Sequence, residues 1–596
     1  MQSKKIDMRN IFILLLTLFI VSCEKKTKEK NEIQTKPNVV LIMTDDQGWG
    51  DLSFNGNTNL STPNIDAIAK NGASFQNFYV QPVCSPTRAE LLTGKYAARL
   101  GVYSTSTGGE RFNSKETTIA EIFKKAGYKT TAYGKWHSGM QPPYHPNSRG
   151  FDDYYGFTSG HWGNYFSPML EHNGEIVKGE GFLVDDLTNK GLDFITENKN
   201  NPFFLYLPYN TPHSPMQVPN EYWERFEKKK LDMRYQGNEE ESENFTRAAL
   251  AMVENIDFNM GRLTNKLKEL GLEENTIIVY LSDNGPNGWR WNGGMRGRKG
   301  STDEGGVRSP FFIQWKNTIP KNKKISQIAG AIDILPTLTS LAGINQPTIK
   351  SIDGKDLKTL IADKNPTWES RHIVNHWRGK TSIRTQKYRL DNENRLYDMQ
   401  NDIGQRTDLS SELPQLTDSL VNIKNIWLKD AVTVKPENKR PFTLGHPDFI
   451  YTQIPARDGI PHGNIKRSNR HPNNTFFTNW TSLDDKITWD VEVLADGEFE
   501  VELYYTCAAE NVGATLKLTH NKNELSTTIT EPHDPPLTGM ENDRDPRIES
   551  YVKDFKSMKM GKIKLNNGKG KLTLKALEIK GSAVIDVRLL LFKRLD

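Results

Sequence analysis

Two pairs of hard oxygen donors stand where buried strands would deliver them. The apolar run Val39-Val40-Leu41-Ile42-Met43 leads into Asp45 and Asp46, and Thr276-Ile277-Ile278-Val279-Tyr280-Leu281 leads into Asp283, Asn284 and Gly285. Carboxylate and amide oxygens grouped in this way suit Ca2+ or Mg2+. Without a cation, clustered carboxylates repel one another. Each pair taken alone would serve equally as a turn or a helix cap. A lone thiol, Cys84, lies in Pro82-Val83-Cys84-Ser85-Pro86-Thr87-Arg88-Ala89-Glu90-Leu91-Leu92-Thr93-Gly94. A lone Cys ordinarily packs as a small hydrophobe. Here Pro86, Arg88 and Thr93-Gly94 set it apart. Tyr144, His145, His161, Trp162, Trp289, Arg290, Trp291, Arg296 and Arg298 add aromatic faces and guanidinium forks. Aromatic faces stack on sugars, and Arg pairs with carboxylate or sulfate. His145, His161, Trp162, Arg290, Trp291 and Arg298 are the substrate-binding candidates, with structural loop packing as the alternative use.

The elements that must position these groups alternate between strand and helix. Thr62-Pro63 opens a helix that Gly72 closes. The pattern predicts a helix over 118–126 before a strand over 129–134, and a helix over 183–198 before Phe203-Phe204-Leu205-Tyr206-Leu207. A long helix over about 244–270 precedes the strand from Thr276, a short strand Phe311-Phe312-Ile313 follows, and a helix lies near 332–341. Alternation of this kind predicts a parallel α/β sheet covered on both faces. Ligands of such sheets sit at the carboxyl ends of the strands, where the Asp pairs fall. Beyond about 447 the pattern becomes strictly alternating. Ile487, Trp489, Val491 and Val493 share one strand face, as do Phe499, Val501, Leu503 and Tyr505 on the next strand. That predicts an all-β module, a sandwich.

The charge balance excludes a general nucleic-acid binder. The 596 residues carry a formal charge of +5. Residues 1–22 hold Lys4, Lys5 and Arg9 against Asp7, and residues 23–36 hold five Lys against three Glu, which leaves +1 for the rest. A nucleic-acid binder needs a concentrated basic face. The apolar run 11–21 is too short to span a bilayer and has the length of a signal-peptide core. It ends in Ile20-Val21-Ser22-Cys23, which resembles the lipobox of bacterial lipoproteins, whose Cys is lipidated. The expected product is exported and lipid-anchored through Cys23, in the periplasm or on the outer membrane of a Gram-negative bacterium. An ordinary cleaved signal is the alternative. With only three Cys, a disulfide scaffold is excluded. Cys507 then remains as an ordinary thiol.

The stretch around Cys84, with its C-x-P-x-R core, resembles the first signature of the type I, formylglycine-dependent sulfatases of the alkaline phosphatase superfamily. Gly127-Tyr128-Lys129-Thr130-Thr131-Ala132-Tyr133-Gly134-Lys135-Trp136-His137 resembles the second signature, with Tyr133 where a small or branched residue is usual. Thr211-Pro212-His213-Ser214-Pro215 resembles the family's histidine loop, and the stretch from Lys299 to Arg308 its lysine loop. Leu396-Tyr397-Asp398-Met399 resembles its C-terminal subdomain. The resemblance covers about 37–430.

It implies that Cys84 is oxidised to Cα-formylglycine by a formylglycine-generating or anaerobic sulfatase-maturating enzyme. It further implies that Asp45, Asp46, Asp283, Asn284 and residue 84 hold Ca2+, with Mg2+ second. Hydrated residue 84 would attack sulfur with help from Asp283, and Arg88 would hold it. Lys135 and Lys299 would clamp the sulfate, His213 would protonate the leaving oxygen, and His137 would regenerate the aldehyde.

The expected architecture is a signal peptide (1–22), a tether (23–36) and a catalytic α/β domain (37–370) with an alkaline-phosphatase-like, mostly parallel sheet. A small antiparallel C-terminal subdomain (371–434) and a β-sandwich (447–596) complete it. The expected function is desulfation of a sulfated polysaccharide or its oligosaccharides, such as ulvan, carrageenan or a glycosaminoglycan. The rival readings are a phosphoester or phosphonate-ester hydrolase of the same superfamily, and a non-catalytic glycan-binding lipoprotein.

Overall fold

Strand β1 (Asn38–Thr44) is buried along its whole length. Its side chains alternate between two hydrophobic cores. Val40 and Ile42 enter one, and Val39, Leu41 and Met43 enter the other. A strand buried on both faces reads as an unbroken apolar run, which is why it stands out in the sequence. The computed structural model describes residues 36–345, 351–363, 366–432 and 440–596. The signal peptide, Cys23 and nearly all of the tether lie outside the described residues. Residues 37–596 form one unit. Among the described residues no helix is long and apolar enough to cross a membrane.

The central sheet has ten strands. Its middle consists of β4 (Thr276–Ser282), β1, β3 (Phe203–Pro208), β2 (Lys129–Lys135) and Asp153–Phe157, in that order and all parallel. Their carboxyl ends therefore gather at one edge of the sheet. The strand Phe311–Trp315 runs antiparallel to β4, pairing Phe311 with Leu281. The expected sheet is thus mostly, not wholly, parallel. The connection 283–310 starts and ends at the same edge of the sheet, so the chain re-enters in the reverse direction. The expected helices appear as Pro63–Lys70, Ile119–Lys125, Leu183–Glu197, Glu243–Glu269 and Ile334–Leu341. The helix at Ile119 starts on a capping box between Thr118 and Glu121.

A four-stranded antiparallel sheet, Ile373–Trp377 through Leu396–Asp398, packs with the helix Pro414–Ala431. Two further sheets enclose one apolar core, including Ile487, Trp489, Phe499, Val501 and Leu503. This sandwich begins with the strand Phe442–Leu444, ahead of the expected boundary at 447, because that strand pairs in parallel with Lys486–Val493.

Candidate active site

The helix α1 (Cys84–Thr93) is buried at every residue. Cys84 is its first residue, after extended Val83, and Gly94 closes it at φ 70°. Side chains four apart share a helix face, so the C-x-P-x-R spacing sets Arg88 on the same face as Cys84. Pro86 sits in the first turn, where a missing N–H costs little. Arg88 is fully buried. It donates to Asp283 Oδ2 from Nε (3.1 Å) and Nη2 (2.7 Å), and to the Lys135 carbonyl at 2.7 Å. One guanidinium thus links the ends of β2 and β4 to the helix carrying Cys84.

The Asp pairs meet as the sheet predicts. Ligating atoms of Asp45, Asp46, Cys84 and Asp283 lie within 4.8 Å of one another, all buried. Asp46 holds a left-handed φ of 66°, a strained conformation for a residue with a Cβ. Its N–H donates to Asp283 Oδ1 (3.2 Å), and Asn284 Nδ2 donates to its Oδ1 (2.8 Å). Lys135 Nζ lies 2.6 Å from Asp45 Oδ2, and Lys299 Nζ 2.7 Å from Asp46 Oδ1. The lysine loop is tied to the Cys84 loop by Gly300 N–H donating to Pro82 O at 2.7 Å.

The donor set fits a divalent cation. Asp45 Oδ1 and Asn284 Oδ1 are buried without a hydrogen-bond partner. Burial, with the charges of Asp283 and Asp46, pushes the Asp45 carboxyl up to about 8 against the pull of Lys135. Burial would also raise Asp46, but His213 and Lys299 hold it below the usual carboxylate range. Oxygen ligands of this kind belong to Ca2+ or Mg2+. Burial lifts the Cys84 thiol to about 12, despite Lys135 and Lys299. A neutral thiol is a poor nucleophile, so residue 84 needs a different chemical form to attack.

Two histidines flank the cluster in different states. His137 Nε2 faces the Thr105 carbonyl at 2.9 Å, and a carbonyl only accepts. The ring proton therefore sits on Nε2, and buried Nδ1 has no partner. Burial and the charge of Lys135 drive this imidazole well below its ordinary pKa, so Nδ1 is a free base. His213 Nδ1 donates to the Ser214 carbonyl at 2.5 Å, and Nε2 lies 3.6 Å from Asp46 Oδ2. Burial lowers His213 to about 4 although Asp46 opposes the shift.

Tyr133, the departure from the family signature, turns its hydroxyl to Asp153 Oδ2 at 2.6 Å, and Lys135 still reaches Asp45. Gly134 is required between them, because a Cβ there would stand 2.1 Å from the Pro208 carbonyl.

The substrate candidates divide. His161 stacks on His213, ring centroids 5.9 Å apart, with Nε2 buried and unpartnered. Trp291 and Arg298 are half-buried around the lysine loop, and Arg298 lies over the Trp289 ring at 4.8 Å. Three others are held in structural contacts. Arg290 is buried against Asp51 at 2.6 Å and donates to the Asp46 carbonyl. Trp162 is stacked between Phe157 and Arg588, and His145 lies 3.4 Å from Glu171. Arg and Trp beside a motif carry no sign of which way they point. Sequence reasoning missed Tyr165, whose hydroxyl donates to the His213 and Ser214 carbonyls at 3.0 Å. It also missed Asn473 and Glu549 of the sandwich, which reach His161 and Ser214. Neither sits in a motif.

The sulfatase family model matches residues 37–344. N-acetylgalactosamine-6-sulfatase of Mus musculus is 32% identical over 357 residues, covering 54% of this chain and 65% of the relative. The chain thus spans somewhat less than two thirds of that relative's length. The uncharacterized sulfatase YdeN of Escherichia coli is 30% identical over 412 residues, 58% of this chain and 71% of the relative. The crystal structure of Ps i-CgsB in complex with k-i-k-neocarrahexaose superposes with a TM-score of 0.61 at 33% identity, covering 68% of this chain and 96% of that one. The motif residues, the carboxylate cluster they surround and these likenesses agree: the chain belongs to the sulfatase family.

Proposed function

We propose that the chain hydrolyses sulfate esters of a sulfated polysaccharide or its oligosaccharides, with formylglycine at position 84. The observation that carries this is the convergence of Arg88, Lys135, Lys299 and His213 on three buried carboxylates that close on Cys84, the first residue of a buried helix, with His137 in the field of Lys135 and Arg88. Asp45, Asp46, Asp283 and Asn284 would hold Ca2+, which would supply positive charge to the sulfuryl oxygens. Formylglycine would supply geminal hydroxyls where a neutral thiol cannot attack.

The chain's own groups do the rest. Lys135 and Lys299 bind the sulfate oxygens and stabilise the charge that develops on them. Arg88 fixes Asp283 against the helix of residue 84. In the substrate complex His213, charged as imidazolium with its Nδ1–H kept on the Ser214 carbonyl, gives the Nε2 proton to the leaving oxygen, and His137 accepts one at Nδ1. Trp291 and Arg298 give a sugar an aromatic face and a cation beside the lysine loop. Carrageenan-type oligosaccharides and sulfated amino sugars are the first substrates to try, in view of the relatives, with ulvan and glycosaminoglycans beside them. The run 11–21 and Cys23 support export and lipid anchoring.

A desulfation screen over these saccharides, on protein carrying the aldehyde at residue 84, tests the reading. A matched phosphate ester separates it from phosphoester or phosphonate hydrolysis.

A further inference from the structure

The β-sandwich reaches into the active site at two of its three histidines. Ser214, next to His213, donates its hydroxyl to the Glu549 carboxylate. Glu549 is 8% exposed and makes no ion pair among the described residues. Its other hydrogen bond comes from the Ile548 N–H. On the far side of the same loop, Gln217 Nε2 donates to Gly539 O at 2.7 Å, and Arg544 N–H to Met216 O at 2.9 Å. The loop carrying His213 is therefore pinned from the sandwich at Ser214, Met216 and Gln217.

The second contact is at His161. Asn473 Nδ2 stands 3.4 Å from His161 Nδ1. An amide NH2 can only donate, so Nδ1 is the acceptor and the ring proton of His161 lies on Nε2, the atom left buried and unpartnered beside His213. Asn473 is itself fixed: Arg457 Nη1 donates to its Oδ1 (3.0 Å), and its carbonyl accepts from Ser159 Oγ (3.2 Å). Arg457 in turn grips Glu110 of the catalytic domain at 3.1 Å. A buried amide–guanidinium–carboxylate chain is an expensive way to join two domains that need only touch. Its Asn473 end lies against His161, which stacks on His213.

We propose that the β-sandwich is part of the active site: Glu549 is a positioning residue for His213, acting through Ser214, and Asn473 is one for His161. Glu549 holds the His213 loop so that Nδ1 donates to Ser214 O and Nε2 faces the reacting centre. Asn473 fixes His161 as an Nε2–H donor toward the leaving saccharide. This rests on the reading that His213 protonates the leaving oxygen.

The test uses full-length protein, aryl sulfates ranging from acidic nitrophenols to phenol, and side-chain NMR of 15N-histidine. Glu549→Ala is expected to lose about tenfold or more in kcat/KM on phenyl sulfate, as a displaced catalytic group does. On the most acidic nitrophenol, which leaves without a proton, it should change little. Glu549→Gln still accepts from Ser214 and should recover most of the loss. Equal losses on all leaving groups, or no loss, would overturn the role of Glu549.

Wild-type NMR should show His213 as the Nδ1–H tautomer and His161 as Nε2–H. Asn473→Ala should mix the His161 forms. The opposite tautomers in wild type, or unchanged rings in the variants, would overturn the proposal without reference to activity. Wild type bearing the aldehyde but inert on every aryl sulfate and on every sulfated saccharide of the screen, with the expected tautomers, would instead sink the sulfatase reading.

Discussion

Arg88 and Asp283 form a fully buried pair, with two guanidinium nitrogens on the single oxygen Asp283 Oδ2. Asp283 also takes the Asp46 N–H on its other oxygen. One ion pair therefore sets a carboxylate of the cation site and the helix that carries Cys84. Removing one member of a buried pair leaves an uncompensated charge and costs about 3–5 kcal/mol. Arg88→Ala should lower thermal stability by that order and abolish turnover. Arg88→Lys should not rescue it, since an ammonium cannot reproduce the fork.

Cation binding should be visible in stability without any substrate. A ligand that binds only the folded state adds RT ln(1 + [L]/Kd), about 1.4 kcal/mol for each tenfold rise in free cation above Kd. Thermal melts should shift upward with added Ca2+ and downward with a chelator, and Mg2+ should need higher concentrations. Asp45→Asn should move the onset to higher Ca2+. A melt indifferent to both cations would remove the metal from the account.

Glu304 ties the lysine loop to the C-terminal subdomain. Its carboxylate accepts from Arg389 Nη2 and Tyr79 OH, both at 2.8 Å, and meets Arg308 and Arg384 at 3.4 and 3.6 Å. Burial alone would raise it, yet Arg389, Arg384 and Arg308 hold it at about 2. A depressed carboxylate stabilises the fold fully above its unfolded value of about 4.3, and loses that contribution as pH falls toward 2. Glu304→Gln should therefore destabilise the protein at pH 7. Its stability should also fall less steeply than wild type between about pH 4 and pH 2.

Arg290 and Arg298, eight residues apart in one loop, should behave oppositely. Arg290→Ala strands buried Asp51 and should cost about 3–5 kcal/mol of stability. Arg298→Ala loses a half-buried contact with Trp289, worth about 1 kcal/mol. It should raise KM for an anionic oligosaccharide while leaving a small aryl sulfate unaffected.

What was legible in the sequence follows from local physics. The strands buried on both faces announce themselves as apolar runs, and the residues that end them fall at one edge once the strands are parallel. That is enough to gather Asp45, Asp46 and Asp283. The Cys84–Arg88 spacing is a helix-face relation and is equally local. Direction in the sheet was less legible: Phe311–Trp315 has the same composition whether it runs up or down. The commitment of Arg290 to Asp51 is a contact across 239 residues, and no local pattern encodes it. The same is true of Glu549 and Asn473. Their strict-alternation surroundings mark a sandwich but say nothing of which loop meets the catalytic domain.

The central claim is that residue 84, oxidised to formylglycine, cleaves a saccharide sulfate ester. Its most direct test is sulfate release from carrageenan, ulvan and glycosaminoglycan oligosaccharides by protein whose aldehyde at residue 84 is verified by mass spectrometry, beside Cys84→Ala. The expected result is free sulfate from at least one saccharide, far slower release of phosphate from a matched phosphate ester, and no release by a folded Cys84→Ala. Release by Cys84→Ala at the wild-type rate, or none from any sulfated saccharide by the aldehyde-bearing protein, would contradict it.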